Sequence, residues 1–162
     1  MKIALCQMKN AGTLSENLEK SIRAMEEAAR CGADSILFPE VQLTEFFPQY
    51  PGQDVTSYRI PLDSEIVKEF CRAAKENHIM AVPNILLYEK EKTYDASLFI
   101  RKDGSIAGVQ KMVHVAQAEK FYEQDYYTPS DDGFKVFHTP FGNVRMGNAC
   151  SGNAESGFHC YV

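Results

Sequence analysis

The sequence lacks an apolar run long enough to cross a bilayer, and its amino-terminal apolar stretch, residues 1–6, is too short for a signal peptide. It also lacks a basic patch or stripe, which argues against nucleic-acid binding. Its five cysteines are scattered, odd in number and without metal-ligand spacing. Together these absences predict a cytoplasmic protein with reduced thiols, and no membrane or nucleic-acid partner.

The composition that remains is typical of one globular domain. The chain has 162 residues, of which 44% are hydrophobic and 24% charged, and its formal net charge is −5. This length is sufficient to bury a sizeable core, and the balance of apolar and charged residues excludes a disordered chain. The net negative charge favours solubility.

The first forty residues alternate between strand and helix patterns. Residues 3–8 form a short apolar run, and from Leu14 the apolar residues recur every three or four positions, as on one face of a helix. Thr13 is a suitable N-cap and Gly32 a suitable C-terminal stop. A second apolar run, 35–40, follows, so we predict a βαβ unit with two parallel strands.

Glu40 ends this second run directly after Pro39, which cannot donate to a β-ladder and therefore marks the end of the strand. The carboxyl ends of strands in α/β folds are where ligands bind. Glu40 is therefore a candidate functional carboxylate, although a surface acid in a loop is the alternative. The loop that follows, 44–52, is rich in aromatics and proline, and either lines a pocket near Glu40 or covers the edge of the core.

The middle of the chain changes from alternation to antiparallel pairing. We predict a helix over 63–77 and a strand over 79–87 that Pro83 interrupts. Strands over 94–100 and 106–112 are joined by Asp103-Gly104, a strong hairpin signal, so the sheet is mixed. Lys111 ends a strand, as Glu40 does, and the alternative for it is a solvated lysine.

Several short motifs, taken in order, resemble the nitrilase superfamily of carbon–nitrogen hydrolases. They are Phe38-Pro39-Glu40, Lys111 followed by His114, Phe121-Tyr122-Glu123, the segment from Tyr127 to Asp131, and Thr139-Pro140-Phe141-Gly142. The resemblance covers residues 1–147. The segment from Tyr127 to Asp131 is most similar to the branch that contains N-carbamoylputrescine amidase and β-ureidopropionase.

This resemblance implies an α/β fold of the nitrilase type, an α-β-β-α sandwich with mixed sheets that is truncated at its carboxyl end. Residues 1–147 would form the amino-terminal part of a carbon–nitrogen hydrolase domain, and 148–162 a divergent tail. The implied activity is hydrolysis of a small-molecule amide or N-carbamoyl amine through a cysteine thioester, without metal or organic cofactor. Subunits of the family pair sheet to sheet, so we expect a homo-oligomer.

The resemblance also assigns roles to individual residues. Glu40 matches the base, Lys111 the catalytic lysine and Glu123 a supporting glutamate, while Cys150 lies within a residue or two of the nucleophile's place. Asp95 stands where the family often has asparagine, which leaves its role open.

The sequence departs from the family pattern after Gly147. Ser151 and Gly152 do not match the residues that should follow the nucleophile, and small polar residues replace an apolar strand. The tail is either a frame-altered or truncated end, or a natural short variant in which Cys150 still serves. The alternative function is a catalytically inactive fragment that acts only as an association module.

The other cysteines receive structural interpretations. Cys6, Cys31 and Cys71 fall on apolar or helical positions, so we expect them to be small core residues. Cys160, near the terminus, is expected to be an idle thiol.

Overall fold

The computed structural model describes residues 1–147, and all that follows concerns that part of the chain. Two α-helices lie there, α1 (Leu14–Arg30) and α2 (Glu65–Glu76). The strands are β1 (Ile3–Leu5), β2 (Ser35–Leu37), β3 (Met80–Val82), β4 (Asn84–Glu89), β5 (Lys92–Ile100), β6 (Ile106–Lys111), β7 (Val136–Thr139) and β8 (Gly142–Arg145). Within the same residues, no helix has both the length and the apolar content that crossing a membrane needs.

The main sheet is mixed, as predicted. β1, β2 and β3 pair in parallel, which confirms the βαβ unit, and β5 runs antiparallel to β3, β4 and β6. β3 and β4 follow each other along the same side of β5, separated only by Pro83, whose missing N–H interrupts the ladder there.

The two helices cover one face of this sheet, which we call the helix face. The Thr13 hydroxyl accepts from the Glu16 N–H and donates to the Glu16 carboxylate, so Thr13 is the N-cap of α1 as predicted, while Ser64 caps α2. The buried helix residues pack on apolar side chains from alternate strand positions. These strand residues are Ile36, Ala81, Ile85, Leu87, Ala96, Leu98 and Ile100.

The opposite face, the hairpin face, is partly covered by the antiparallel pair β7–β8. Phe137 of this pair stacks on Phe99 of β5, with ring centroids 5.0 Å apart. Gly108 of β6 permits this approach, because a Cβ there would lie 2.8 Å from Cε1 of Phe137. The described layers are therefore helices, main sheet and a second small sheet, in the order that a sandwich of the predicted type requires.

Two strands are shorter than the sequence indicated. β1 ends at Leu5 and β2 at Leu37, three residues before Glu40. The Phe38 N–H still bonds the carbonyl oxygen of Val82 at 3.2 Å, but Pro39 has no donor with which to continue the ladder. Glu40 therefore lies in a turn beyond the strand.

The prediction that Cys31 is a core residue is wrong, because its side chain is exposed. Cys31 is the C-cap of α1, one residue after the helix ends, and its N–H donates to the carbonyl oxygen of Glu27 at 2.9 Å. Cys6 and Cys71 are partly buried and pack against the main core, as expected.

Candidate active site

Glu40 lies at the carboxyl end of the parallel part of the sheet, in the turn that follows β2. Its side chain is partly buried. Burial, together with the nearby carboxylate of Glu123, raises the pKa of Glu40 from 4.5 to about 7. A carboxyl group with this pKa can take up and release a proton at neutral pH.

The turn that carries Glu40 is held in an unusual backbone conformation. Val41, the next residue, has φ of 54°, which is strained for a β-branched side chain. Its N–H donates to Oδ1 of Asn84 at 2.8 Å, while the N–H of Asn84 donates to Oε1 of Gln42 at 2.9 Å. This reciprocal pair fixes the turn against the start of β4, and so fixes where Glu40 can lie.

Glu40 belongs to a set of three carboxyl groups, with Asp95 and Glu123, that we call the carboxyl cluster. Asp95 is fully buried on β5 and accepts from Nδ2 of Asn84 at 2.8 Å. Burial, and then the charges of Glu40 and Glu123, raise the pKa of Asp95 well above its ordinary value, although the Asn84 hydrogen bond opposes them. The cluster therefore retains protons that exposed carboxyls would release.

Glu123 reaches the cluster from the one-turn 3₁₀ helix Glu123–Asp125. Its side chain is buried, and one oxygen accepts the N–H of Ala116 at 2.9 Å. Burial raises the pKa of Glu123, and the Ala116 hydrogen bond moderates that rise. All three carboxyls also act on the Tyr127 hydroxyl. Burial first, and then their negative charges, raise the pKa of Tyr127.

A cavity of about 10 Å³, room for roughly one water molecule, lies beside the cluster. Its wall includes Val41, Phe47, Asn84, Asp95 and Tyr127. From the loop after Glu40, Phe47 lines this cavity and is also buried in the apolar group that covers this edge of the sheet, so both interpretations of the loop remain open. The cavity is too small for an amide substrate.

Lys111 lies on the other side of the sheet. It pairs with Ala96, whose side chain belongs to the core of the helix face, so the Lys111 side chain leaves the sheet on that face. Its Nζ is 2.7 Å from Glu89, 3.9 Å from Asp132 and 4.4 Å from the ring centre of Tyr94. Burial lowers the pKa of Lys111, but the Glu89 hydrogen bond and charge outweigh it and the net pKa is raised.

The next residue, Met112, is the one that faces the cluster. Its N–H donates to the carbonyl oxygen of Asp95 at 2.9 Å, which extends the β5–β6 ladder by one pair. The Met112 side chain is buried and packs in an apolar group with Phe47, Tyr126 and Tyr127. An apolar residue therefore stands on the hairpin face where the β6 strand meets the cluster.

The structure thus brings Glu40, Glu123 and Asp95 together. It does not bring Lys111 to them, and Cys150, the predicted nucleophile, lies outside the described residues together with the rest of 148–162. Asn84 was not predicted from the sequence, in which its signal is a polar residue that opens an apolar strand. Within residues 1–147, no group of three His, Cys, Asp or Glu side chains could hold a metal ion.

Comparison with known proteins agrees with this architecture. A family model described as carbon–nitrogen hydrolase matches residues 2–153, a range that includes Cys150. Citrullinase from Francisella tularensis is 28% identical over 148 residues, covering 91% of this chain and 52% of that protein. N-carbamoylputrescine amidase from Oryza sativa is 24% identical over 148 residues, covering 91% of this chain and 49% of that protein.

Solved structures show the same fold. A carbon–nitrogen hydrolase from Helicobacter pylori G27 superposes with a TM-score of 0.82 at 22% identity, over 89% of this chain and 50% of that one. The NitN amidase from Nesterenkonia sp. AN1 superposes with a TM-score of 0.73 at 18% identity, over 91% of this chain and 56% of that one. The chain spans about half the length of the curated relatives that it matches. Since the family model covers nearly all of the sequence, the chain belongs to the carbon–nitrogen hydrolase family.

Proposed function

We propose that this protein hydrolyses the carbon–nitrogen bond of a small-molecule amide or N-carbamoyl amine through a thioester on Cys150. Membership of the carbon–nitrogen hydrolase family supports the bond type. Two relatives, named as a citrullinase and an N-carbamoylputrescine amidase, support the substrate class. A structural neighbour, an amidase from Nesterenkonia, is described with acrylamide added to its active-site cysteine, which supports a thiol nucleophile here.

The observation that carries the proposal is the environment of Glu40. This carboxyl group lies at the carboxyl end of β2, beside Glu123, with a pKa raised to about 7 by burial and by that neighbour. A general base works best when its pKa is close to the working pH, since it must accept a proton in one step and return it in another. Glu123 contributes by the repulsion that helps to hold the Glu40 pKa high.

The proposed reaction has two halves. The Glu40 carboxylate takes the proton of the Cys150 thiol, and the thiolate attacks the carbonyl carbon of the amide. As the carbon–nitrogen bond breaks, Glu40 returns the proton to the leaving nitrogen, which departs as ammonia or an amine. Water then attacks the thioester, Glu40 accepts a proton from that water, and the released thiolate recovers it.

The oxyanion role that the resemblance gives to Lys111 is not part of this proposal. To reach the carboxyl cluster, the ammonium group would have to leave Glu89 and move from the helix face to the hairpin face. An ammonium can stabilise a tetrahedral oxyanion only when it is already placed beside that oxygen. The proposed activity therefore depends on Glu40 and Cys150 and not on Lys111 in its described position.

The test is turnover of a panel of ω-amides and N-carbamoyl amines, followed by ammonia release at pH 7.5. We expect Cys150→Ala and Glu40→Gln each to lower kcat/KM at least about a hundredfold, the range that loss of an acid–base group costs. Cys160→Ala and Glu45→Gln are the matched controls, since they remove a second tail thiol and an exposed glutamate of the same loop. Turnover that survives Cys150→Ala, or a folded chain that processes no member of the panel, would contradict the proposal.

A further inference from the structure

The cross-strand register of β5 and β6 decides which residue of the sequence Gln110-Lys111-Met112 can approach the carboxyl cluster. Directly paired residues of an antiparallel ladder project from the same face, with Cβ atoms about 4.5–5.5 Å apart. Lys111 pairs with Ala96, and the following pair brings Met112 opposite Asp95, joined by the 2.9 Å hydrogen bond. The side chain beside the buried Asp95 carboxyl is therefore the thioether of Met112.

Neighbouring residues of β6 confirm this alternation. Val109, two positions before Lys111, packs against the core of the helix face. Gly108 lies against Phe137 on the hairpin face, and Gln110 is buried there, opposite Ser97. Moving Lys111 to the cluster would require a one-residue slip, which would turn every side chain of β6 to the wrong face.

Within residues 1–147, the charges that shift the pKa values of the cluster come from its own carboxyl groups. Glu40 is influenced by Glu123, Asp95 by Glu40 and Glu123, and Tyr127 by these three carboxyls together with Tyr126. Lys111, in contrast, is influenced by Glu89, Asp132 and Tyr94. The nearest ammonium group of β6 is thus neutralised on the far side of the sheet.

We propose that position 112, and not position 111, determines whether the carboxyl cluster receives a positive charge from β6, and that Met112 leaves it without one. This inference rests on the proposed function for its catalytic meaning, because it implies that no β6 ammonium stabilises the tetrahedral oxyanion in this chain. Met112 then favours protonation of the cluster, because an apolar side chain, unlike an ammonium group, does not stabilise the ionised form of Glu40.

The experiment measures the titration of Glu40 in protein labelled with [5-¹³C]glutamate, using carboxyl carbon shifts from pH 4 to 9. The Glu40→Gln and Glu123→Gln variants identify the two signals. Lys111→Met, Met112→Lys and the volume-conserving control Met112→Leu are then compared with the unaltered chain. The measurement needs no substrate and no function of Cys150, so its failure is distinguishable from failure of the proposed activity.

We expect Lys111→Met and Met112→Leu to leave the Glu40 titration midpoint where it is. Met112→Lys should lower that midpoint by about 1 to 3, the effect of an opposite charge within about 4–6 Å of a carboxylate. A rise in the Glu40 midpoint in Lys111→Met would overturn the proposal, because it would mean that Lys111 reaches the cluster in solution. So would a folded Met112→Lys chain with an unshifted midpoint, and if that variant does not fold, the Lys111→Met result decides alone.

Discussion

Replacing Glu40 by glutamine should make the stability of this protein less sensitive to pH. In the folded chain the pKa of Glu40 is about 7, compared with 4.5 for an ordinary glutamate. Between these values the folded state holds a proton that the unfolded chain has already released. The free energy of unfolding therefore falls as the pH rises through this window, because binding of the proton favours the folded state only while the proton is available.

The size of the effect follows from the two pKa values. Each pKa unit corresponds to about 1.4 kcal/mol, so the difference between 4.5 and about 7 is worth roughly 3 kcal/mol at full deprotonation. Glutamine resembles the protonated carboxyl and does not ionise. The free energy of unfolding of Glu40→Gln, minus that of the unaltered chain, should therefore increase by about 3 kcal/mol from pH 4.5 to pH 8.

The assay is urea unfolding followed by far-ultraviolet circular dichroism, at half-unit intervals from pH 4.5 to 8. Glu45→Gln, which removes an exposed glutamate five residues away, is the matched control. A Glu40→Gln difference that does not change with pH would refute the reasoning, because it would mean that Glu40 titrates alike in the folded and unfolded states.

Two further predictions concern the framework of the site. Asn84→Ala removes the acceptor for the Val41 N–H and a donor to Asp95, so urea unfolding at pH 7 should show a loss of about 1–3 kcal/mol in free energy of unfolding. A loss below about 0.5 kcal/mol would contradict a stabilising role for these two hydrogen bonds. Gly108→Ala places a methyl 2.8 Å from Phe137 and should cost about 1–3 kcal/mol in thermal unfolding. Gly147→Ala, where no atom of residues 1–147 lies within 4 Å of the added methyl, should be neutral; equal melting temperatures for the two variants would contradict the close packing of Gly108 on Phe137.

The sequence predicted the helices and the mixed sheet well because their signals are local. The fold retains four local preferences that the sequence shows: the Thr13 N-cap, the apolar spacing of α1, the Asp103-Gly104 turn and the break at Pro83. The exact bounds of the strands were less well predicted, because the apolar runs continue beyond the last paired residues, Leu5 of β1 and Leu37 of β2.

The candidate site was only partly predictable, for a geometrical reason. Glu40 was found because the end of a strand is visible in the sequence. Successive side chains of a strand point to opposite faces, so Lys111 lies on the same face as Val109, two residues earlier. Val109 packs on the helix face, and Lys111 therefore lies there too. Asn84 and Asp95 could not be joined from sequence alone, because their contact crosses two antiparallel strands.

The most direct test of the proposed mechanism is to trap the acyl-enzyme. The chain would be mixed with an amide that it turns over, quenched in acid within milliseconds to seconds, digested and analysed by mass spectrometry. The account predicts an acyl group on the peptide that contains Cys150, present in the unaltered chain and absent from Cys150→Ala and Glu40→Gln. Product formation with no acyl group on Cys150, or with the acyl group on Cys6, Cys31, Cys71 or Cys160, would contradict it.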